Sequence, residues 1–270
     1  MIYIKTDAEI EKMKLAGKIT AAVFDAVEPH IKPGISTAEL DKIAYKTIVE
    51  AGAKPAFLGY GEPPFPGTAC ISLNDEVVHG IPSEKRILAD GDIVSVDVGA
   101  VIDGFYGDAC RTFTCGNVSD EAKDLIRTCE DSFWLAIREA RIGNRIGDIS
   151  ATVQEFVESK GYGIVRELTG HGIGRHLHED PDLLNYGRRG RGARLVKGMC
   201  LALEPMITQG SYDIKLLSDQ WTISTRDGKL SAHYENSFAI LEDGPYILTC
   251  PGFERPLAAD FKQPKSYSDR

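Results

Sequence analysis

The dipeptide Asp103-Gly104, set between two runs that alternate bulky and small residues, restricts the fold more than any other feature. Asp-Gly supplies two residues that accept positive φ, as a type I′ hairpin requires. A two-residue loop fixes the register of segment 93–115: residue 102 faces 105, 99 faces 108 and 97 faces 110. Side chains alternate between faces with period 2. Asp97 and Asp108 therefore point to one side as diagonal neighbours, with Cα atoms about 7–8 Å apart. That side also carries Ser95, Gly99, Cys110 and Thr112, which are mostly small. The other side carries Val94, Val96, Val98 and Phe113, which suit a core; Arg111 falls among them, and the pattern gives no account of it.

Two further strands repeat the arrangement. Within Met199–Glu204, Glu204 shares a face with Cys200 and Ala202, and Pro205 favours extended backbone at Glu204 and ends the ladder there. Glu235 shares a face with Ser237 and Ala239, opposite Phe238 and Ile240. His171 lies in the run Gly170–His178, which also holds His176 and His178; its glycines allow close backbone approach to a ligand. Taken singly, each acid reads as solvent-exposed on a half-buried sheet. Four together, on sheets flanked by helices, imply compensation by cations, because buried uncompensated carboxylates are costly. Asp97, Asp108, His171, Glu204 and Glu235 make an oxygen-rich donor set, poor as a structural zinc site and good as a catalytic one. It suits two divalent ions, typically about 3.5–4 Å apart, that activate water for hydrolysis. Spacing alone neither chooses among the three clustered histidines nor assigns His79.

The remaining pattern is helices followed by antiparallel strands, twice. Thr6-x-x-Glu9 and Ser36-x-x-Glu39 are capping boxes that open two amphipathic helices, the first ended by Pro29 and Pro33-Gly34, the second by Gly52. Residues 54–68 read as a loop, with short strands near 70–73 and 77–79. Helices are expected near 119–141 and 146–160, and strands over 199–207, 214–225 and 233–241. A weak duplication is suggested, without a residue-level repeat. Residues 1–250 read as one catalytic domain and 251–270 as a polar tail. The net charge of −9 disfavours general nucleic-acid binding. The six dispersed cysteines, without a CxxC pair, read as free thiols in a reducing cytosol. No stretch resembles a signal peptide or reaches membrane-span length.

Five segments resemble one family: CISLNDEVVHGIP (70–82), DIVSVDVGAVIDGFYGDACRTF (92–113), ELTGHGIGRHLHEDP (167–181), GMCLALEPM (198–206) and SAHYENSFAI (231–240). Together they are similar to the type I methionine aminopeptidases of the bacterial kind, metallopeptidases that share the pita-bread fold with prolidases and creatinases. The resemblance covers residues 1–250. It implies an α+β architecture: an antiparallel sheet with helices on its outer face, in pseudo-two-fold halves. It implies removal of N-terminal methionine from nascent polypeptides with a small second residue. On the matching positions, Asp97 would bind one of two divalent ions (Co, Mn, Fe or Zn), Asp108 and Glu235 would bridge both, and His171 and Glu204 would complete the coordination of the second ion. Glu204 would also serve as general base. His79 and His178 would contact the scissile peptide. The methionine pocket would be lined by Tyr60, Phe65, Cys70 and Trp221, although loop 57–68 departs from the common family pattern. Asn74 and Ser231 match positions that hold a monovalent cation, Na or K.

The resemblance further implies a cytoplasmic monomer that acts on nascent polypeptide N-termini and has no membrane partner. Two other readings fit parts of the pattern: an X-Pro dipeptidase or aminopeptidase, against which the missing N-terminal mass counts, and a non-catalytic pita-bread binding module, against which the complete donor set counts. Arg188, Arg189, Arg191, Arg194 and Lys197 form a basic loop on an acidic chain. It reads as a solvated loop or as a dock for ribosomal RNA near the exit tunnel, whose binding would be salt-sensitive.

Overall fold

The computed structural model describes residues 1–250, 252, 256–258 and 261–263. Most of the expected tail 251–270 lies outside the described residues. Of those inside it, Leu257 is buried, and the Phe261 ring packs 5.8 Å from that of Trp134.

Both capping boxes form. Glu9 N–H donates to Thr6 Oγ1, and Thr6 N–H donates to the Glu9 carboxylate, at the start of helix α1 (Asp7–Val27). Ser36 and Glu39 do the same for α2 (Thr37–Glu50). A second pair follows as α3 (Asp120–Ala136) and α4 (Ile146–Ser159).

The two pairs are joined alike. A 3-10 turn ends the first helix of each, at Glu28–His30 and at Ile137–Glu139. Next comes a glycine in the left-handed region, Gly34 at φ +97° and Gly143 at φ +98°, where a Cβ would be strained. Two residues later stands the cap of the second helix, Ser36 or Arg145, which bridges to Ile87 or Arg194. The duplication is therefore real in backbone geometry and written with different residues in each half.

The strands are β1 (Lys54–Pro55), β2 (Ala69–Leu73), β3 (Glu76–Val78), β4 (Ile93–Ile102), β5 (Phe105–Thr114), β6 (Gly163–Ile164), β7 (Gly170–Gly172), β8 (Glu179–Leu183), β9 (Cys200–Leu203), β10 (Met206–Thr208), β11 (Ile214–Leu216), β12 (Ile223–Thr225), β13 (Ser231–His233), β14 (Glu235–Leu241) and β15 (Gly244–Ile247). Nine of them make one antiparallel sheet in the order β1-β4-β5-β14-β9-β7-β8, with β2 also on β4 and β15 also on β14. The β4–β5 register is the one the Asp-Gly turn dictates: Ile102 opposite Phe105, Gly99 opposite Asp108, Asp97 opposite Cys110. Asp103 and Gly104 take φ of +52° and +76°.

The bulky face of this sheet carries the helices. Val94, Val96, Val98 and Phe113 pack under α1 and α2 through Val23, Phe24, Leu40 and Ile48. Leu201, Leu203 and Phe238 pack under α3 and α4 through Phe133, Trp134, Ile149 and Val153. Each such side chain contributes about 1.5–3 kcal/mol on burial.

Arg111 finds its explanation on this face. Its guanidinium lies 4.9 Å from the Phe24 ring and 4.4 Å from the Tyr234 ring. It donates to the carbonyls of Cys110 and Glu235 and, at 2.6 Å, to Asn236 Oδ1. One buried cation thus ties β5 to β14 directly behind the carboxylates. Among the described residues, no helix is long and apolar enough to cross a membrane.

Candidate metal centre

Five consecutive strands of the sheet deliver the acidic cluster to its small-residue face. Asp97 lies on β4, Asp108 on β5, Glu235 on β14, Glu204 directly after β9, and His171 on β7. Cys110 pairs with Asp97 on one side and Glu235 on the other. Carried one residue on, the Asn236–Leu203 register sets Glu235 opposite Glu204. One row across the sheet therefore reads Asp97, Cys110, Glu235, Glu204, each about 4.8 Å from the next. In the adjacent row Gly99 pairs with Asp108, the Ser237 hydroxyl bonds the backbone of Asp108, Ser237 pairs with Ala202, and Ala202 pairs with His171. The residues between the ligating types are small, which leaves room above the sheet.

Asp97, Asp108, His171 and Glu235 are all buried. Asp97 Oδ1, Asp108 Oδ1 and Glu235 Oε1 have no hydrogen-bond partner. Burial raises the pKa of every carboxylate in the group. It takes Asp108 to about 7 against the pull of the Ala109 N–H. Asp97, Glu204 and Glu235 lie well above the usual range, through burial first and then the charges of their acidic neighbours.

The proton of His171 is placed by its surroundings. Nδ1 lies 2.8 Å from the Gly172 carbonyl, which can only accept, so Nδ1 carries the hydrogen and Nε2 a lone pair. That lone pair faces Glu204 Oε1 at 3.6 Å and Asp108 Oδ2 at 3.8 Å. Burial and His178 depress its pKa to about 3, so protonation does not relieve the confrontation. A lone pair aimed at carboxylate oxygens calls for a cation among them. One ligand atom each from Asp108, His171 and Glu235 lies within 4.8 Å of the others. Carboxylate oxygens and a neutral imidazole suit a divalent transition ion, so the residues present fit the ions that the sequence resemblance implies.

Above the cluster opens a cavity of about 270 Å³. All five cluster residues line it, together with His79, His178, Tyr60, Phe65, Cys70 and Trp221. Every expected catalytic and pocket position therefore meets in one place. His79 sits at φ +59° with its ring edge-on to Trp221, and burial and His178 lower its pKa to about 4. His178 stands 4.4 Å, ring to ring, from His171, and its Nδ1 lies 2.6 Å from the Tyr60 hydroxyl.

Loop 57–68 is strapped to the rest. Trp221 Nε1–H donates to Pro63 O at 3.0 Å, and Gly61 lies so close under the indole that a Cβ would stand 2.5 Å from it. Asn74 and Ser231 are not in this cavity. They adjoin each other, with Ser231 N–H donating to Asn74 O at 2.8 Å, while the Asn74 amide is engaged by Asp92 and Ile93.

Sequence reasoning missed some of the lining. Phe57, Leu177 and Met206 also face the cavity; Phe57 and Leu177 lie in loops, where apolar residues carry no signal of which way they point, and Met206 opens the three-residue β10, too short for an alternation to show. It also missed His233, 2% exposed, whose Nε2 lies 3.7 Å from Glu204 Oε2. Its place two residues before Glu235 was the available cue.

Fold and site define a pita-bread metallopeptidase. Residues 11–242 match the model of metallopeptidase family M24, and the chain belongs to that family. It is 53% identical to the methionine aminopeptidase of Clostridium acetobutylicum over 249 residues, 92% of this chain and 99% of that one. The crystal structure of methionine aminopeptidase from Thermotoga maritima matches with a TM-score of 0.90 at 44% identity, covering 92% of this chain and 99% of that one. The prolidase from Pyrococcus furiosus, at 24% identity and a TM-score of 0.74 over 92% of this chain and 65% of its own, shares the fold alone.

Proposed function

We propose that the chain is a metal-dependent methionyl aminopeptidase that removes the N-terminal methionine of polypeptides whose second residue is small. The observation that carries this reading is the placement of a buried carboxylate–imidazole cluster at the end of an apolar pocket lined by Phe65, Cys70 and Trp221. An extended methionine side chain suits that pocket, and its peptide carbonyl would then lie over the cluster.

Asp97, Asp108, His171, Glu204 and Glu235 would hold two divalent ions, with Fe, Mn, Co and Zn all compatible. When bound, such a pair supplies Lewis acidity to the scissile carbonyl and lowers the pKa of water. Glu204 takes the proton of the attacking water and passes it to the leaving amine. His79 and His178 donate to the carbonyl oxygen as it gains charge, and both are held neutral by burial, so each has one N–H to give. Tyr60, Phe65, Cys70 and Trp221 hold the methionine side chain and exclude water from it. Asn74 and Ser231, outside the cavity, would coordinate a monovalent cation through backbone and hydroxyl oxygens.

The reading extends to a cytoplasmic monomer that meets its substrates as they leave the ribosome. Arg189 is paired with Glu155 and Lys197 with Asp7, while Arg188 and Arg191 are exposed. These last two would make the phosphate contacts, and reversing their charge is expected to abolish ribosome co-sedimentation; unchanged co-sedimentation would remove the idea. For the activity, methionine release from Met-Ala-Ser and Met-Ile-Ser is measured with added Mn(II). Fast cleavage of the first alone is expected. No cleavage, or equal cleavage of both, would contradict the reading.

A further inference from the structure

We propose that His233 is a positioning residue for Glu204: its Nε2–H holds Glu204 Oε2, leaving Oε1 to face the ligand cluster. The inference rests on the reading of Glu204 as ligand and proton acceptor, and adds a residue to it.

His233 sits on β13, and its backbone is fixed on both sides. Its N–H donates to Thr112 Oγ1 at 3.0 Å, and its carbonyl accepts from the same hydroxyl at 2.8 Å. Its ring is 2% exposed, yet neither ring nitrogen has a hydrogen-bond partner. A buried polar group left in that condition is costly, and in native proteins it calls for an explanation.

The geometry around Glu204 supplies one. Its two oxygens are divided between two imidazoles: Oε1 faces His171 Nε2 at 3.6 Å, and Oε2 faces His233 Nε2 at 3.7 Å. The two rings present opposite chemistry. The Gly172 carbonyl holds the His171 proton on Nδ1, so the nitrogen turned to Glu204 is a lone pair. Nothing engages Nδ1 of His233, and the carboxylate beside Nε2 draws the proton there. Glu204 therefore has a donor behind one oxygen and a lone pair, with space for a cation, before the other. Held in this way, the carboxylate cannot rotate both oxygens toward the cluster. Partners that orient a ligand from behind typically change metal affinity or activity by about 10–100-fold when removed.

The test compares His233→Leu, His233→Gln and wild type as full chains in three measurements: thermal midpoint without metal, Mn(II) affinity by calorimetry without substrate, and kcat and KM on Met-Ala-Ser. His233→Leu is expected to bind Mn(II) about 10–100-fold more weakly and to lose kcat by a similar factor, with KM within about twofold and a midpoint no lower than wild type. His233→Gln, which keeps an N–H at similar reach, restores most of both. Wild-type affinity and kcat in His233→Leu, an equal loss in His233→Gln, or a midpoint drop that accounts for the loss overturns the proposal. Should His233→Leu not fold, His233→Asn takes its place, since its amide is too short to reach; full function in it would equally overturn the claim. Failure of wild type to cleave Met-Ala-Ser would sink the peptidase reading, while the calorimetry still decides the role of His233.

Discussion

Replacing Asp108 by Asn should make the metal-free protein more stable, although it removes a group from the centre of the site. Asp108 is 4% exposed, and its pKa is raised by burial from 3.8 to about 7. Below 3.8 the carboxyl is protonated in folded and unfolded chains alike, and costs nothing. As pH rises toward about 7, ionisation favours the unfolded chain, and stability is lost until the folded group also ionises. By pH 7.5 the loss reaches about 4 kcal/mol; at pH 5 it is about 2 kcal/mol.

Asparagine is the same shape, carries no charge, and brings an amide N–H₂ that the neighbouring Asp97 and Glu235 can accept. For a chain of this size each kcal/mol moves the midpoint by about 2–4 °C, so the ceiling at pH 7.5 is roughly 8–16 °C. Calorimetric melts of wild type and D108N, both stripped of metal with chelator, test this at pH 5.0 and 7.5. The expected gain at pH 7.5 is about twice that at pH 5.0, and excess Mn(II) reverses the order because wild type, with the full set of charged ligands, gains more ligand stabilisation. A D108N protein no more stable than wild type at pH 7.5, or equally stabilised at both pH values, would refute the reasoning.

Three other outcomes follow from the same structure. Wild type without metal should lose midpoint as pH rises from 6.5 to 7.5, because burial raises the folded Asp108 to about 7 and lifts the neighbouring carboxylates as well. The depressed histidines give the opposite slope, but only below about 6.5; a flat or rising midpoint in that window, read by circular dichroism, would count against buried carboxylates. Arg111→Met should cost about 3 kcal/mol or more in chemical denaturation, since it strips the donor from Asn236 and two carbonyls; a loss under about 1 kcal/mol would contradict its bracing role. Gly61→Ala, at φ +74° and 2.5 Å from the Trp221 ring, should displace the loop and raise KM for Met-Ala-Ser several-fold, whereas an unchanged KM would mean that this loop does not shape the pocket.

The sequence carried the local part of the site because local rules govern it. An Asp-Gly turn admits one register, and that register sets Asp97 and Asp108 on one face without help from any tertiary contact. The capping boxes at Thr6 and Ser36 likewise declare their helices. What the chain did not disclose depends on partners far away in sequence. Arg111 looked misplaced until Phe24, Tyr234 and Asn236 closed around it. His233 is one ring among six histidines until β13 sets it behind Glu204. The repeated helix corner escaped because Gly34 and Gly143 share a backbone angle rather than a surrounding sequence. The convergence of all five cluster residues was an expectation drawn from family motifs; the strand order β4-β5-β14-β9-β7 is its physical cause.

The central claim is that these five side chains hold a pair of divalent ions beneath the methionine pocket. Diffraction from crystals soaked in manganese, recorded on both sides of the manganese absorption edge, tests it most directly. Two anomalous peaks about 3.5–4 Å apart, bounded by Asp97, Asp108, His171, Glu204 and Glu235, are the expected result. An empty cluster, or peaks bound only by other residues, would contradict the account.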